Sequence, residues 1–135
     1  MSVKAYPGAF TYDEALAMCS GDGTDVKAEL PAPLNSFENE LLKNKASDLG
    51  VTGSFWLGIN DRDMEGVYRD QHGSLHNYFR WGSNEPTPDN SGGIIRDCVQ
   101  KKSSASTWET TSCFLTNDVI CTRVEGKAII SIKVQ

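Results

Sequence analysis

The segment Phe55-Trp56-Leu57-Gly58-Ile59-Asn60-Asp61 decides the fold of this chain. It is apolar without a break from residue 55 to residue 59, and polar turn residues follow at once. A short apolar run that is bounded by turn signals is typical of a buried β-strand. We therefore predict a central strand here, with Val67-Tyr68 and Tyr78-Phe79-Arg80-Trp81 as its candidate partners.

Two helices are predicted before this strand. Thr11-Tyr12-Asp13-Glu14 has the form of a capping box, in which the threonine hydroxyl accepts from a helical N–H and the glutamate reaches back. Asn35-Ser36-Phe37-Glu38 is a second start signal, and Gly50 is the corresponding stop signal. The apolar face that we expect the second helix to bury comprises Phe37, Leu41, Leu42, Ala46 and Leu49. In this interpretation the helices precede all the strands.

The region after the central strand is expected to contain a long loop and the closing strands. Residues 82–96 show little periodicity and are rich in turn formers, so we predict an ordered loop of the kind that usually carries function. Short strands are predicted at Cys98-Val99, Thr107-Trp108 and Val119-Ile120-Cys121. Residues 125–135 end in an alternating pattern, which predicts an extra C-terminal strand.

Size and charge limit the class of protein. The chain has 135 residues and a formal net charge of -5, and this length fits a single domain over residues 1–135. The negative charge disfavours nucleic acid as a partner, because binding to phosphates depends on clustered lysine and arginine. No stretch approaches the roughly 18 consecutive apolar residues of a membrane helix, so membrane insertion is not expected.

The chain has four cysteines, at positions 19, 98, 113 and 121, and it has no Cys-x-x-Cys pair. An even number without such a pair disfavours a zinc site and favours two disulfides, which form in an oxidising compartment. Spacing alone leaves three pairings open.

The central segment, Trp81, the acidic loop Glu85-Pro86-Thr87-Pro88-Asp89-Asn90 and the cysteines together resemble the C-type lectin-like domain. This is the carbohydrate-recognition domain family, here in its short form with two disulfides. The resemblance implies an α+β fold in which two helices flank small antiparallel sheets and a long ordered loop. It also implies that Cys19 pairs with Cys121 and Cys98 with Cys113.

Lectins of this family hold calcium with side chains on either side of a cis proline, with an acid shortly before the cysteine that follows the loop, and with a Trp-Asn-Asp strand. Calcium takes about 6–8 oxygen ligands, and two sugar hydroxyls complete its shell. Glu85-Pro86-Thr87 matches the proline motif in part, because threonine stands where asparagine is expected. Thr87-Pro88-Asp89 is a rival register, and the residues leave the choice open.

Three further positions depart from the family. Arg96 stands where an acidic ligand is expected, and Trp108-Glu109-Thr110 replaces Trp-Asn-Asp. The residues that the resemblance assigns to carbohydrate binding are Glu85, Thr87, Asp89, Asn90 and Glu109. The same residues without Thr87 are the candidate calcium ligands of this site.

A second, structural calcium site of the family uses an Asp and a Glu after the central strand, together with loop acids. Asp61 and Glu65 match these positions, and Asp97 matches the acid beside the cysteine that follows the loop, here Cys98. The alternative is that Asp61 and Glu65 are turn residues that are solvated or paired with Arg62.

The resemblance implies a secreted, calcium-dependent glycan-binding protein without catalysis, and Glu85-Pro86 favours mannose-type sugars. The alternative is a lectin-like fold that binds a protein, mineral or ice surface without sugar, since a fold does not fix a function. The hydrolase motifs Gly-x-Ser-x-Gly and His-Glu-x-x-His do not occur in the chain. Because single sites of this kind bind sugars weakly, assembly into a homo-oligomer would raise the affinity.

Overall fold

The computed structural model of the chain describes residues 2–21, 28–89 and 93–123. The elements in chain order are β1 (Ser2–Phe10), α1 (Tyr12–Ser20), α2 (Ser36–Asp48), β2 (Ser54–Asn60), β3 (Arg69–Asp70), β4 (Cys98–Lys102), β5 (Trp108–Thr111) and β6 (Asn117–Arg123). The predicted extra strand over residues 125–135 lies outside the described residues. Within them, no helix is long and apolar enough to cross a membrane.

The strands form one mixed sheet with the order β1-β6-β2-β4-β5, and β3 pairs with β2. Strand β2 runs antiparallel to β4 and parallel to β6, through the pair Phe55 and Asp118. The predicted α+β lectin-like fold is confirmed. Beside the antiparallel pairs that were expected, the sheet contains a parallel contact, between β2 and β6.

Local capping signals predicted both helix starts correctly. The amide of Glu14 donates to the Thr11 hydroxyl at 3.3 Å, and the Thr11 amide donates to the Glu14 carboxylate at 2.8 Å. The Glu38 amide donates to Asn35 Oδ1 at 2.8 Å, which caps α2. These contacts satisfy amides that have no partner inside their helices.

The predicted buried face of α2 was partly wrong. Phe37 and Leu49 are exposed, whereas Asn39 is wholly buried together with Leu42 and Ala46. Asn39 is tolerated there because its Nδ2 donates to the carbonyl of Ser106 at 2.8 Å and its Oδ1 accepts from the Trp108 indole at 2.9 Å. A polar residue therefore takes a core position that an apolar pattern could not indicate.

Strand β1 was not predicted, so the expectation that helices precede all strands was wrong. Pro7 and Gly8 interrupt its sequence pattern, but β1 lies at the edge of the sheet, where such residues are tolerated. Its register against β6 shifts between Tyr6 and Phe10. The Gly8 amide donates to Asp118 Oδ1 at 2.9 Å instead of to a ladder carbonyl.

The predicted partners of β2 also need correction. Besides β4 and β6, β2 pairs with β3, which begins one residue beyond Val67-Tyr68. Trp81 makes only an isolated bridge to Trp108. The aromatic side chains of residues 78–81 contact other rings instead of forming a strand. For example, the Phe79 and Trp81 rings stack with centroids 5.3 Å apart. The apolar character of this segment therefore reflects core packing.

Strand β2 separates two clusters of buried side chains, because successive residues face opposite sides of a strand. Trp56 packs edge-on against Tyr12 of α1 with ring centroids 5.7 Å apart. Phe55 and Leu57 face the other cluster, which includes Leu42 of α2.

The disulfides implied by the resemblance are confirmed: Cys19 pairs with Cys121, and Cys98 pairs with Cys113. The first ties α1 to β6. The second ties the start of β4, at the end of the long loop, to the segment after β5.

Candidate metal centre and ligand loop

The ends of β2 and β4 bring three predicted calcium ligands together. Asn60 pairs with Cys98 in the sheet, and the Asp61 amide donates to the carbonyl of Asp97 at 3.1 Å. As a result, Asp61, Glu65 and Asp97 each present a carboxylate oxygen, and these oxygens lie within 4.8 Å of one another. We call these three residues the acidic cluster.

Two oxygens of the acidic cluster are buried without a donor. Asp61 is 2 % exposed, and its Oδ2 accepts from the Gly66 amide at 2.8 Å. The Oδ1 atoms of Asp61 and Asp97 are also buried, and they accept no hydrogen bond from any described residue. Leaving a buried carboxylate oxygen unsatisfied is costly, so this arrangement fits a bound cation.

The pKa values of the acidic cluster reflect this burial and crowding. Burial raises the pKa of Asp97 to about 6, and the side chain of Asp89 adds to the effect. Burial also raises the pKa of Asp61, and the nearby charge of Glu65 raises it further. Contact with the Asp89 side chain raises the pKa of Glu65. A cation placed among these groups would favour their ionised forms.

The long loop adds Asp89 to this environment. The Arg96 amide donates to Asp89 Oδ1 at 2.7 Å, and the Asp89 amide donates to Glu65 Oε2 at 3.2 Å. Arg96, which stands where the family has an acid, thus orients Asp89 through its backbone. Asn90 lies outside the described residues.

The alternative in which Arg62 pairs with the turn acids is not what the structure shows. Its guanidinium instead binds Asp13 of α1 in two parallel contacts of 2.9 and 3.1 Å.

The second group of predicted residues lies around Glu85. The Glu85–Pro86 peptide is cis, which is the proline of the first of the two predicted registers. Glu85 Oε1 accepts from the amides of Thr87 at 3.0 Å and Thr110 at 2.9 Å, and from the Thr110 hydroxyl at 2.7 Å. Glu85 Oε2 accepts from the Thr87 hydroxyl at 3.1 Å.

These hydrogen bonds keep Glu85 ionised. Partial burial acts to raise the pKa of Glu85, but the donors of Thr110 and Thr87 outweigh it, and the pKa is lowered. The sequence alone indicates Thr110 only as a departure from Trp-Asn-Asp. Its role as the main donor to Glu85 depends on a contact across the fold, which the sequence does not display.

Glu109 lies in a different environment from Glu85. Its Oε1 accepts from Gln100 Nε2 at 2.7 Å, and Gln100 Oε1 in turn accepts from Asn117 Nδ2 at 2.9 Å. A cavity of about 280 Å³ lies between the long loop and β5, and Ser83, Glu85, Lys102 and Glu109 are among its lining residues. The assignment of Glu85, Thr87 and Glu109 to ligand binding stays a prediction.

Comparison with known proteins places this geometry in a family. The profile of the Lectin C-type domain matches residues 9–123. The mouse protein "C-type lectin domain family 3 member A" is 35% identical over 120 residues, which are 87% of this chain and 57% of that protein. The "Tetranectin-like protein" of Carcharhinus perezii is 29% identical over 116 residues, 84% of this chain and 65% of that protein. The chain thus spans between about half and two thirds of the length of these relatives.

Solved structures agree on the fold. The crystal structure of the C-type lectin CEL-I from Cucumaria echinata superposes with a TM-score of 0.77 at 20% identity, covering 90% of this chain and 89% of that one. At this identity the likeness shows the fold alone. Because the family profile covers most of the chain, the chain belongs to the C-type lectin domain family, whose members are non-enzymatic binding modules.

Proposed function

We propose that this chain is the calcium-dependent glycan-binding domain of a secreted protein. The observation that carries the proposal is the acidic cluster, in which Asp61 and Asp97 each keep a buried oxygen without a donor. Oxygen-rich clusters of this kind suit hard cations such as calcium.

The residues that would bind the calcium ion also connect the long loop to β2 and β4. Asp61 and Glu65 follow β2, whereas Asp97 precedes β4 and Asp89 lies within the loop. A bound calcium ion would supply the positive charge that offsets their mutual repulsion. The loop would then be held in one conformation beside β5, ready to meet a ligand.

The glycan-binding surface in this proposal is the cavity between the long loop and β5. Glu85 and Glu109 offer acceptors to sugar hydroxyls there, and Lys102 offers a donor. The retained Glu85-Pro86 pair supports a preference for mannose-type sugars. Asp89 of the long loop contacts the acidic cluster through Glu65.

A second candidate function is binding to a protein, mineral or ice surface without sugar. Ile94 and Ile95 of the long loop are 42% and 59% exposed. Exposed aliphatic side chains on a ligand loop favour contact with a broad apolar surface more than with a sugar. This candidate predicts binding that free sugars do not inhibit.

Secretion and assembly also belong to the proposal. Both disulfides join distant segments, and such bonds persist in oxidising compartments. Several linked copies would convert weak single-site binding into useful affinity. Light scattering of the purified chain measures this assembly directly.

The experiment that tests the proposed function is a glycan array with the purified chain, in calcium and in EDTA. We expect mannose-type glycans to bind in calcium and to be lost in EDTA, and we expect soluble mannose to compete. Failure to bind any glycan in calcium would refute the sugar-binding function. Binding to a protein that sugars do not inhibit would instead favour the second candidate.

A further inference from the structure

We infer that Glu85 of this chain holds no metal ion, because Thr110 and Thr87 take the place that calcium has beside the cis proline in the lectins that this chain resembles. This inference rests on the proposed function, in which calcium binds at the acidic cluster. It separates the two candidate calcium sites of the chain and assigns the ion to only one.

The donors around Glu85 argue against a cation. Calcium needs oxygen atoms that point their lone pairs at the ion. Glu85 Oε1 instead faces the amides of Thr87 and Thr110 and the hydroxyl of Thr110, at 2.7 to 3.0 Å. The hydrogens of these groups already supply the positive charge that the carboxylate requires.

The number of negatively charged side chains beside Glu85 also argues against a cation. In place of the aspartate of Trp-Asn-Asp, Thr110 contributes a neutral hydroxyl, which also lies 3.0 Å from the Thr87 amide. The Glu109 carboxylate accepts from Gln100. Calcium affinity increases with the number of charged ligands, and Glu85 is the one carboxylate in the threonine-bonded group.

The acidic cluster shows the opposite pattern. Asp61 Oδ1 and Asp97 Oδ1 are buried and accept no hydrogen bond from the described residues, whereas both oxygens of Glu85 accept hydrogen bonds from the two threonines. The negative charge of Glu85 is therefore stabilised by the protein itself. In the acidic cluster, the protein leaves two buried carboxylate oxygens without a donor among the described residues.

This arrangement changes how calcium controls ligand binding. The loop around Glu85 keeps its shape through its own hydrogen bonds, and Glu85 Oε2 retains acceptor capacity for a ligand hydroxyl. Within the described part of the loop, calcium would act on ligand binding through Asp89. Ligand affinity in this chain should fall on chelation through loosening of the loop, without loss of an ion that bonds the ligand.

Calcium stoichiometry, measured by titration calorimetry on the full chain, tests the inference. We expect one ion per wild-type chain, and one ion per Glu85→Gln chain with a dissociation constant within twofold of wild type. Asp61→Asn should bind none. A stoichiometry of two that falls to one in Glu85→Gln would overturn the inference, whereas a wild-type chain that binds no calcium would refute the proposed function and leave Glu85 without a metal, as inferred.

A gain-of-site variant keeps the test decisive if Glu85→Gln folds poorly. Thr87→Asn combined with Thr110→Asp restores two of the family's ligands beside Glu85 and should add a second calcium ion. Thr116→Asp, at an exposed turn, is the matched control and should leave the stoichiometry at one. An unchanged stoichiometry in the double variant would contradict the role that we give to Thr110.

Discussion

Lys101 of β4 shows how much a single buried charge costs this fold. Its side chain is wholly buried, its ammonium lies 5.5 Å from the centroid of the Phe55 ring, and it donates to the carbonyl of Lys102 at 3.2 Å. Burial lowers the pKa of Lys101 to about 8, and the nearby charge of Lys43 adds to the effect. The folded chain therefore binds this proton less tightly than the unfolded chain, in which the pKa is about 10.4.

The sign of the linkage predicts that stability contributed by Lys101 rises with pH between about 8 and 10.4 and is lowest below pH 8. Lys101→Met should accordingly raise the free energy of unfolding at pH 7 by about 1–3 kcal/mol. The gain should shrink at pH 9.5. Urea denaturation at both pH values measures it, and Lys102→Met, at an exposed neighbour, should show no such gain. A gain that grows with pH would contradict the explanation.

Matching single residues to the family predicted only part of the candidate site. Asp61 and Glu65 could be found because they follow a strand at fixed spacing, and the structure places them with Asp97. The donors to Glu85 could not be found, because Thr110 reaches it across the fold. A threonine hydroxyl can donate or accept a hydrogen bond, so the residue type alone does not indicate which of the two it does.

At the scale of elements, α2 is held to β5 by a polar contact. Asn39 joins the Trp108 indole to the carbonyl of Ser106. The caps of α1 and α2 could be predicted because they involve neighbouring residues. The buried face of α2 and the edge strand β1 could not, since each depends on partners that are distant in sequence.

Replacing Asn39 by leucine should be destabilising even though leucine is apolar. The change leaves the Trp108 indole and the Ser106 carbonyl without partners, and each buried unsatisfied group costs about 1–3 kcal/mol. We therefore expect a loss of roughly 2–4 kcal/mol in the free energy of unfolding, measured by urea denaturation. Asn44→Leu, at an exposed position of the same helix, is the control. A loss below 1 kcal/mol for Asn39→Leu would argue against the polar contact.

At the scale of the whole molecule, the two disulfides divide stability and function between them. Cys19 and Cys121 are 102 residues apart, whereas Cys98 and Cys113 are 15 apart. In the chain-entropy model the longer loop contributes about 4.7 kcal/mol and the shorter about 3 kcal/mol. The shorter one, however, holds the residue next to Asp97.

This division predicts that two double serine variants will rank in opposite orders for loss of stability and for loss of calcium affinity. Replacing Cys19 and Cys121 should cost more stability and leave the calcium dissociation constant within about twofold of wild type, while the folded state persists. Replacing Cys98 and Cys113 should cost less stability and weaken calcium binding about tenfold. Thermal melts and calcium titrations on both variants measure the two effects, and equal losses of calcium affinity would refute the division.

The central claim is that calcium binds this lectin domain at the acidic cluster. The most direct measurement is the melting temperature of the wild type and of Asp61→Asn in calcium and in EDTA, with Asp63→Asn, at an exposed residue of the same turn, as the control. Extracellular calcium sites bind in the range of about 10⁻⁴–10⁻³ M. At ten times the dissociation constant, calcium should stabilise the fold by about 1.4 kcal/mol, which raises the melting temperature by roughly 5 °C.

We predict that rise in the wild type and in Asp63→Asn, and no rise in Asp61→Asn. An equal rise in Asp61→Asn, or a wild-type melting temperature that calcium leaves unchanged, would contradict the claim.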